Sequence, residues 1–218
     1  TRHPDSPLSQ DIPEKLAVAY EKSDDLGNAA LQYQAIAARD QKKNPAASRE
    51  ALWLAAETFE KIKQPEQALK IYQQYSADTT NPVDLRAEAV YRIYTYNDKN
   101  NLVTEAQSSL KNLAQIYDKL GDKAPPRIRY FGALAHFKMT QPLYDNFAAI
   151  TLKQPLKPNL LAKKKAMQAA LIAYNQVANI GIAEFTTAAN YQQAQIYQKL
   201  AADLIASEKP KGLSDLEL

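Results

Sequence analysis

Two histidines, 24 carboxylates, 27 basic side chains and no cysteine are the groups with which this 218-residue chain could do chemistry. A metal site needs several such groups converging at ligand spacing. His3 lies in a polar, proline-containing N-terminal stretch, and His136 stands on a helical pattern between Ala135 and Phe137 with no second histidine or cysteine at ligand spacing. Acyl transfer would need a serine on a Gly-x-Ser-x-Gly elbow, and phosphate or dinucleotide binding a glycine-rich loop. The five glycines stand at 27, 121, 132, 181 and 212, too scattered for a phosphate-cradling or dinucleotide loop. Asp24 with Asp25, Glu57 with Glu60 and Asp215 with Glu217 fall at turns or on polar helix faces, where solvation accounts for them. No catalytic residue, no metal ligand set and no cofactor is expected.

The formal charge of +3 and the pI near 8.8 come from basic and acidic residues interspersed along the whole chain. A field that diffuse argues against a nucleic-acid partner. The run Lys163, Lys164 and Lys165 reads as the wet face of a helix rather than a contact for anionic lipid. No apolar stretch approaches the roughly 18 to 20 residues of a membrane span. The chain is expected to be soluble as given, with membrane association only through segments outside it.

Whatever these residues do must be positioned by helices. Apolar residues recur at spacings of three and four, and no alternating strand pattern is found. Prolines at 13, 45, 65, 82, 125, 126, 142, 155, 158 and 210 punctuate the apolar segments or sit in first helical turns. At 81–84, Asn81 is expected to cap a helix that Pro82 opens and Asp84 favours electrostatically. About nine helices follow from these boundaries.

The strongest signal is internal repetition. Leu16, Ala17 and Tyr20, followed by Ala29, Tyr33 and Ile36, superimpose on Ala55, Ala56 and Phe59, followed by Ala68, Tyr72 and Tyr75. The same spacing returns at Ile93, Tyr94 and Asn97, then Ala106, Leu110 and Leu113, so that the units are offset by 39 and 38 residues. Within each unit, small residues on one helix meet an alanine-plus-large stripe on the next, which lets two backbones approach closely. The pattern resembles the tetratricopeptide repeat family, with Ala17, Ala56 and Tyr94 at the consensus glycine, Asn97 at a consensus aromatic and four or five extra residues per unit. A fourth, degenerate hairpin is expected from 127–140 with 142–152. Beyond Asn159 two longer helices, 160–179 and 182–207, are joined at Gly181, which suits a left-handed cap, and would seal or continue the stack. Their expected stripes are Leu160, Met167, Leu171, Tyr174 and Ala178, then Phe185, Ala189, Ile196, Leu200 and Leu204.

The runs QPLYDNF at 141–147, KKK at 163–165, AYNQV at 173–177 and IAEFTTAA at 182–189 resemble large tetratricopeptide proteins of proteobacterial envelopes, associated with gliding-motility and TonB-type machinery. That resemblance covers about residues 45–218 and implies a periplasmic or envelope setting in a Gram-negative bacterium.

The expected fold is an all-α superhelical stack of antiparallel helical hairpins, a tetratricopeptide-like α-solenoid closed by two longer helices. Residues 1–10 are expected to be disordered, 11–158 to hold the hairpins, 159–208 the long pair and 209–218 the start of a further segment. The family resemblance implies a non-catalytic scaffold whose alternate helices line a concave groove for a partner protein or peptide. On those helices Trp53 and Tyr91 occupy one repeat position, Glu57 and Thr95 the next, and Glu60 with Lys61 and Asp98 with Lys99 repeat an acid–base pair. Val18 and Glu21 hold matching places in the first unit, where Glu14 and Lys22 also stand. Aromatics ringed by polar groups suit an interaction hot spot. Trp53 could equally pack between neighbouring hairpins. A module for one chain terminus would need a basic clamp, against which the mixed charges argue. In a glycan- or peptidoglycan-associated accessory domain, Trp53 would stack on sugar rings.

Overall fold

The computed structural model describes residues 12–208, which form nine α-helices and one 3-10 turn with no strand among them. His3, the Asp215 and Glu217 pair and the two expected terminal segments, 1–10 and 209–218, lie outside the described residues, Gly121–Lys123 is the 3-10 turn, and the helices are α1 (Ile12–Lys22), α2 (Leu26–Asp40), α3 (Pro45–Lys61), α4 (Pro65–Ala77), α5 (Val83–Lys99), α6 (Val103–Leu120), α7 (Pro126–Ala149), α8 (Leu156–Asn179) and α9 (Ala183–Ile205). Two compact units divide between Asn112 and Leu113, within α6.

In the first unit α1 packs on α2, α2 on α3, α3 on α4 and α4 on α5. The expected starts are visible locally. Asp25 and Asn44 cap α2 and α3 by accepting from the N–H groups of Asn28 and Ala47 at 3.2 and 3.3 Å, and Pro45 and Pro65 occupy first turns, where their missing N–H costs nothing. Asn81 departs from expectation. Pro82, with extended φ and ψ, takes the cap position of α5, while the Asn81 side chain turns back and donates from Nδ2 to the Tyr75 carbonyl at 2.8 Å. The last turn of α4 thus captures the amide meant for α5.

The sequence repeat is also a backbone repeat. Asp24, Lys63 and Asn101 all adopt left-handed conformations, with φ of 59°, 59° and 57°, and are offset by the same 39 and 38 residues. Each donates its N–H three residues back, to Glu21, Glu60 and Asp98 at 3.1, 3.0 and 3.2 Å. The following residues, Asp25, Gln64 and Leu102, each reach five back, to Tyr20, Phe59 and Asn97, all at 2.9 Å. This paired closure ends a helix by satisfying carbonyls that have no partner inside it. Ala29, Ala68 and Ala106 then bond to the carbonyls of Asp25, Gln64 and Leu102, starting the second helix of each pair at once. Burial follows the same register: Ala17, Ala56 and Tyr94, then Ala29, Ala68 and Ala106, then Ile36, Tyr75 and Leu113 are all at most 7% exposed.

None of the three left-handed residues is glycine, so each turn carries a backbone cost that glycine would remove. Lys63→Gly should raise stability by about 0.5 kcal/mol after glycine's added chain entropy. Asn101→Gly should gain less, because asparagine tolerates this region. Urea midpoints of the two variants check both the sign and the order.

The second unit is built differently. Here α7 packs on α8, and α9 packs on both, around a core of Ala133, Phe147, Ala166, Ala170, Tyr174, Val177, Phe185, Ala189 and Ile196. The hairpin expected at 127–152 is one continuous 24-residue helix with Pro142 inside it. An interior proline costs about 3 kcal/mol or more, yet Pro142 and Lys138, whose carbonyl loses its partner, are both exposed, and Phe131, Ala135 and Phe147 are buried on either side. Core burial on both sides of the break holds one axis. The hairpin that does occur is α8 with α9, where Gly181 has the expected left-handed φ of 78° and Thr186 bonds to the Ile182 carbonyl at 2.8 Å.

The buried face of α8 is also rotated from expectation: Lys163, Ala166, Ala170, Tyr174 and Val177 face inward, while Leu160 is 38% exposed. Lys163, expected on the wet face, is fully buried. Its ammonium donates to the Phe147 and Ile150 carbonyls at 3.1 and 2.8 Å, sits 4.4 Å from the centre of the Phe147 ring and pairs with Asp203 of α9 at 2.6 Å. Those two carbonyls close the C-terminus of α7, where a cation meets the negative end of the helix dipole. Lys164 and Lys165 are exposed, as expected.

Candidate interaction face

The proposed contact residues lie on α1, α3 and α5, all in the first unit. On α3, Ala55, Ala56 and Phe59 are buried against α2 and α4 with Leu52 packed beside them, which turns Trp53 toward one flank. Trp53 is half-buried. Its ring meets Tyr72 and Tyr75 of α4 edge-on, with centroids 5.4 and 5.3 Å apart, and it shares a cleft with Leu54 and with Leu85 of α5. These are the contacts of the packing alternative, and they still leave part of the indole at the surface. Tyr91, at the equivalent position on α5, is also half-buried, its ring centroid 6.4 Å from that of Tyr94 on the same helix. The two aromatics share a register but have different surroundings.

Glu60 is committed to the scaffold. Its Oε2 accepts from Arg92 Nη1 at 2.8 Å and from the Tyr72 hydroxyl at 3.1 Å, while Arg92 Nε donates to Glu88 at 3.3 Å. The cluster ties α3, α4 and α5 together, and burial, helped by Glu60, pushes the Tyr72 hydroxyl well above the usual phenol range. Arg92 was not foreseen; the signal for it was the four-residue spacing from Glu88.

The remaining members face outward. Lys61, Thr95, Asp98 and Lys99 are exposed and Glu57 is half-exposed, while the Thr95 hydroxyl donates to the Tyr91 carbonyl at 2.9 Å within its own helix. On α1, Val18 is 47% exposed and Glu21 lies at the surface; burial first, then the nearby Glu21, pushes the Tyr33 phenol up to about 12. The face is therefore polar with mixed charge around two half-buried rings.

A second polar cleft lies in the second unit. His136 Nε2 is 2.9 Å from Asp118 Oδ1, the Tyr117 ring stands edge-on to the imidazole with centroids 6.2 Å apart, and Asp122, Gln176 and Asn179 complete the lining. Among the described residues no three histidine, cysteine or acidic side chains are grouped to hold a metal ion. No helix among them is long and apolar enough to cross a membrane. No protein-family model matches the chain, and no curated protein matches its sequence.

Proposed function

We propose that this chain is a non-catalytic interaction scaffold, a tetratricopeptide-like stack of helical hairpins that takes a partner protein or peptide on the face formed by α1, α3 and α5. The observation that carries this reading is the recurrence of one hairpin at offsets of 39 and 38 residues, with the same left-handed turn and the same buried positions. Repetition of burial holds in the core, while the outward positions change from Trp53 to Tyr91 and from Glu57 to Thr95, with Lys61 and Lys99 kept alike. A shared core with a varied surface is what a modular binding surface needs. The envelope setting, in a Gram-negative periplasm and within a multiprotein machine, is supported by the resemblance of the runs at 141–147, 163–165, 173–177 and 182–189. Trp53 packs edge-on to two tyrosines and only part of its indole reaches the surface, which limits the area it offers for stacking on sugar rings.

The test places a photo-crosslinking residue at Lys61, at Lys99 or, as a control, at Lys165 on α8. Crosslinked partner should form in envelope extracts from the first two positions and not from the third, and Lys61→Glu with Lys99→Glu should reduce it without shifting the melting temperature. Equal crosslinking from Lys165, or none anywhere, overturns the reading.

A further inference from the structure

One cleft in the first unit carries polar groups that the packing of its hairpin does not require. It encloses about 230 Å³ between α2, α3, α4 and the loop before α5, and its walls include Gln34, Arg49, Gln74, Tyr75, Asp78 and Asn81. Two buried atoms of these residues have no hydrogen-bond partner, the Tyr75 hydroxyl and Asn81 Oδ1. The bond from Asn81 Nδ2 to the Tyr75 carbonyl fixes how the amide is turned, so the unmatched atom is an acceptor waiting for a donor. Folded proteins rarely leave such groups unmatched, because each costs about 1 to 3 kcal/mol.

The repeat supplies an internal control. At the position of Tyr75 the neighbouring hairpins carry Ile36 and Leu113, both buried, so that position packs without a hydroxyl. At the position of Arg49 on its helix, α5 carries Ala87, and two residues before α3, where Asn81 stands before α5, lies the exposed Lys43. Tyr75, Arg49 and Asn81 thus have no counterpart of the same type at these repeat positions.

Its chemistry narrows the ligand. Asn81 Oδ1 accepts, Arg49 donates, and the carboxamides of Gln34 and Gln74 do both. Asp78 offsets the charge of Arg49, and its Oδ1 already accepts from the Thr80 N–H and hydroxyl at 2.9 and 2.7 Å. The lining therefore selects for no net charge. Tyr75 is 1% exposed, so its ring offers no open face on which a sugar could stack. A peptide unit presents one donor and one acceptor in fixed trans geometry, which is the complement of a carboxamide.

We infer that this cleft binds the main chain of an extended segment of the partner protein, one backbone N–H of which donates to Asn81 Oδ1. The inference rests on the scaffold reading above and names the part of the partner that would be held there.

The experiment titrates acetylated and amidated tetra-alanine at millimolar concentration, followed by the side-chain amide resonances of Asn81 and by emission of Trp53, the one tryptophan, which stands beside Tyr75. Both signals should saturate together. An analogue whose central amides are replaced by esters lacks the donor and should bind about tenfold more weakly, the cost of one buried hydrogen bond. Tyr75→Phe keeps the ring and the Asn81 bond, and should weaken binding about fivefold at unchanged melting temperature. Equal binding of the ester analogue, or no response to either peptide, overturns the inference. So does tighter binding of N-acetylglucosamine than of the peptide, which would make the cleft a sugar site. If the peptide fails while crosslinking from Lys61 and Lys99 persists, only the cleft assignment falls; if both fail, the scaffold reading falls with it.

Discussion

Lys163→Ala should destabilise the second unit by about 3 to 5 kcal/mol, the range found when one partner of a buried, hydrogen-bonded charge pair is removed. The substitution strips donors from the carbonyls of Phe147 and Ile150 and leaves Asp203, itself half-buried, with Lys199 as its remaining cation. Lys163→Met keeps the aliphatic stem but leaves the same groups unmatched, so it should recover only the packing share of the loss. Calorimetry or a denaturant midpoint reads the effect directly; a change below about 1 kcal/mol would mean that the ammonium contributes no more than an exposed pair. Acid provides a second check. Burial acts to raise the Asp203 carboxyl, but its bonds to Lys163 and Lys199 outweigh burial and hold it below the usual value. Because the folded-state pKa is the lower one, the stabilisation is fully present above the ordinary carboxylate pKa and is lost as pH falls through the depressed one. Asp203→Asn should flatten that part of the acid unfolding profile.

The second large effect is expected at Gly132. A β-carbon there would stand 2.2 Å from Cγ, 2.5 Å from Cβ and 2.7 Å from Cδ1 of Tyr117. These atoms are the root of a side chain, so α6 and α7 would have to separate rather than the ring swing aside. Against this, alanine gains about 1 kcal/mol of helix propensity over glycine. Overpacking of this kind costs up to about 3 kcal/mol, so Gly132→Ala should lose about 2 kcal/mol net and Gly132→Val more. Tyr117→Ala in the same background should return much of that loss, since it removes the obstructing atoms. A double-mutant cycle by urea denaturation measures the coupling, and additive effects would show that the contact is not the cause.

How much of this could be read from the residues follows a physical division. Helix type, the repeat and the left-handed Gly181 depend on local spacing, and each is found where the pattern places it. The chain resists reading where a distant group decides. Lys163 sits in a run of three lysines that looks solvated, and is buried because carbonyls 13 and 16 residues earlier, at Ile150 and Phe147, accept from it. Asn81 carries a capping pattern, but the Tyr75 carbonyl takes its amide first. Pro142 looks like a stop, and the helix passes through because burial on both sides outweighs one lost bond. On the interaction face, the exposure of Lys61, Asp98 and Lys99 follows from helical periodicity, whereas the engagement of Glu60 by Arg92 depends on a residue 32 positions away on another helix.

The turns at Asp24, Lys63 and Asn101 have a consequence for lineage. When a joint closes with its own backbone, borrowing no side chain from elsewhere, a stretch running from one joint to the next carries its own start and stop. Copying such a stretch in tandem lengthens the protein without inventing a new corner, and later drift is free to act on the outer surface while the corner stays unchanged. The slip from 39 to 38 residues falls at the end of the second helix, where α4 stops two residues sooner than α2 and the loop after it runs one residue longer, so neither joint is disturbed.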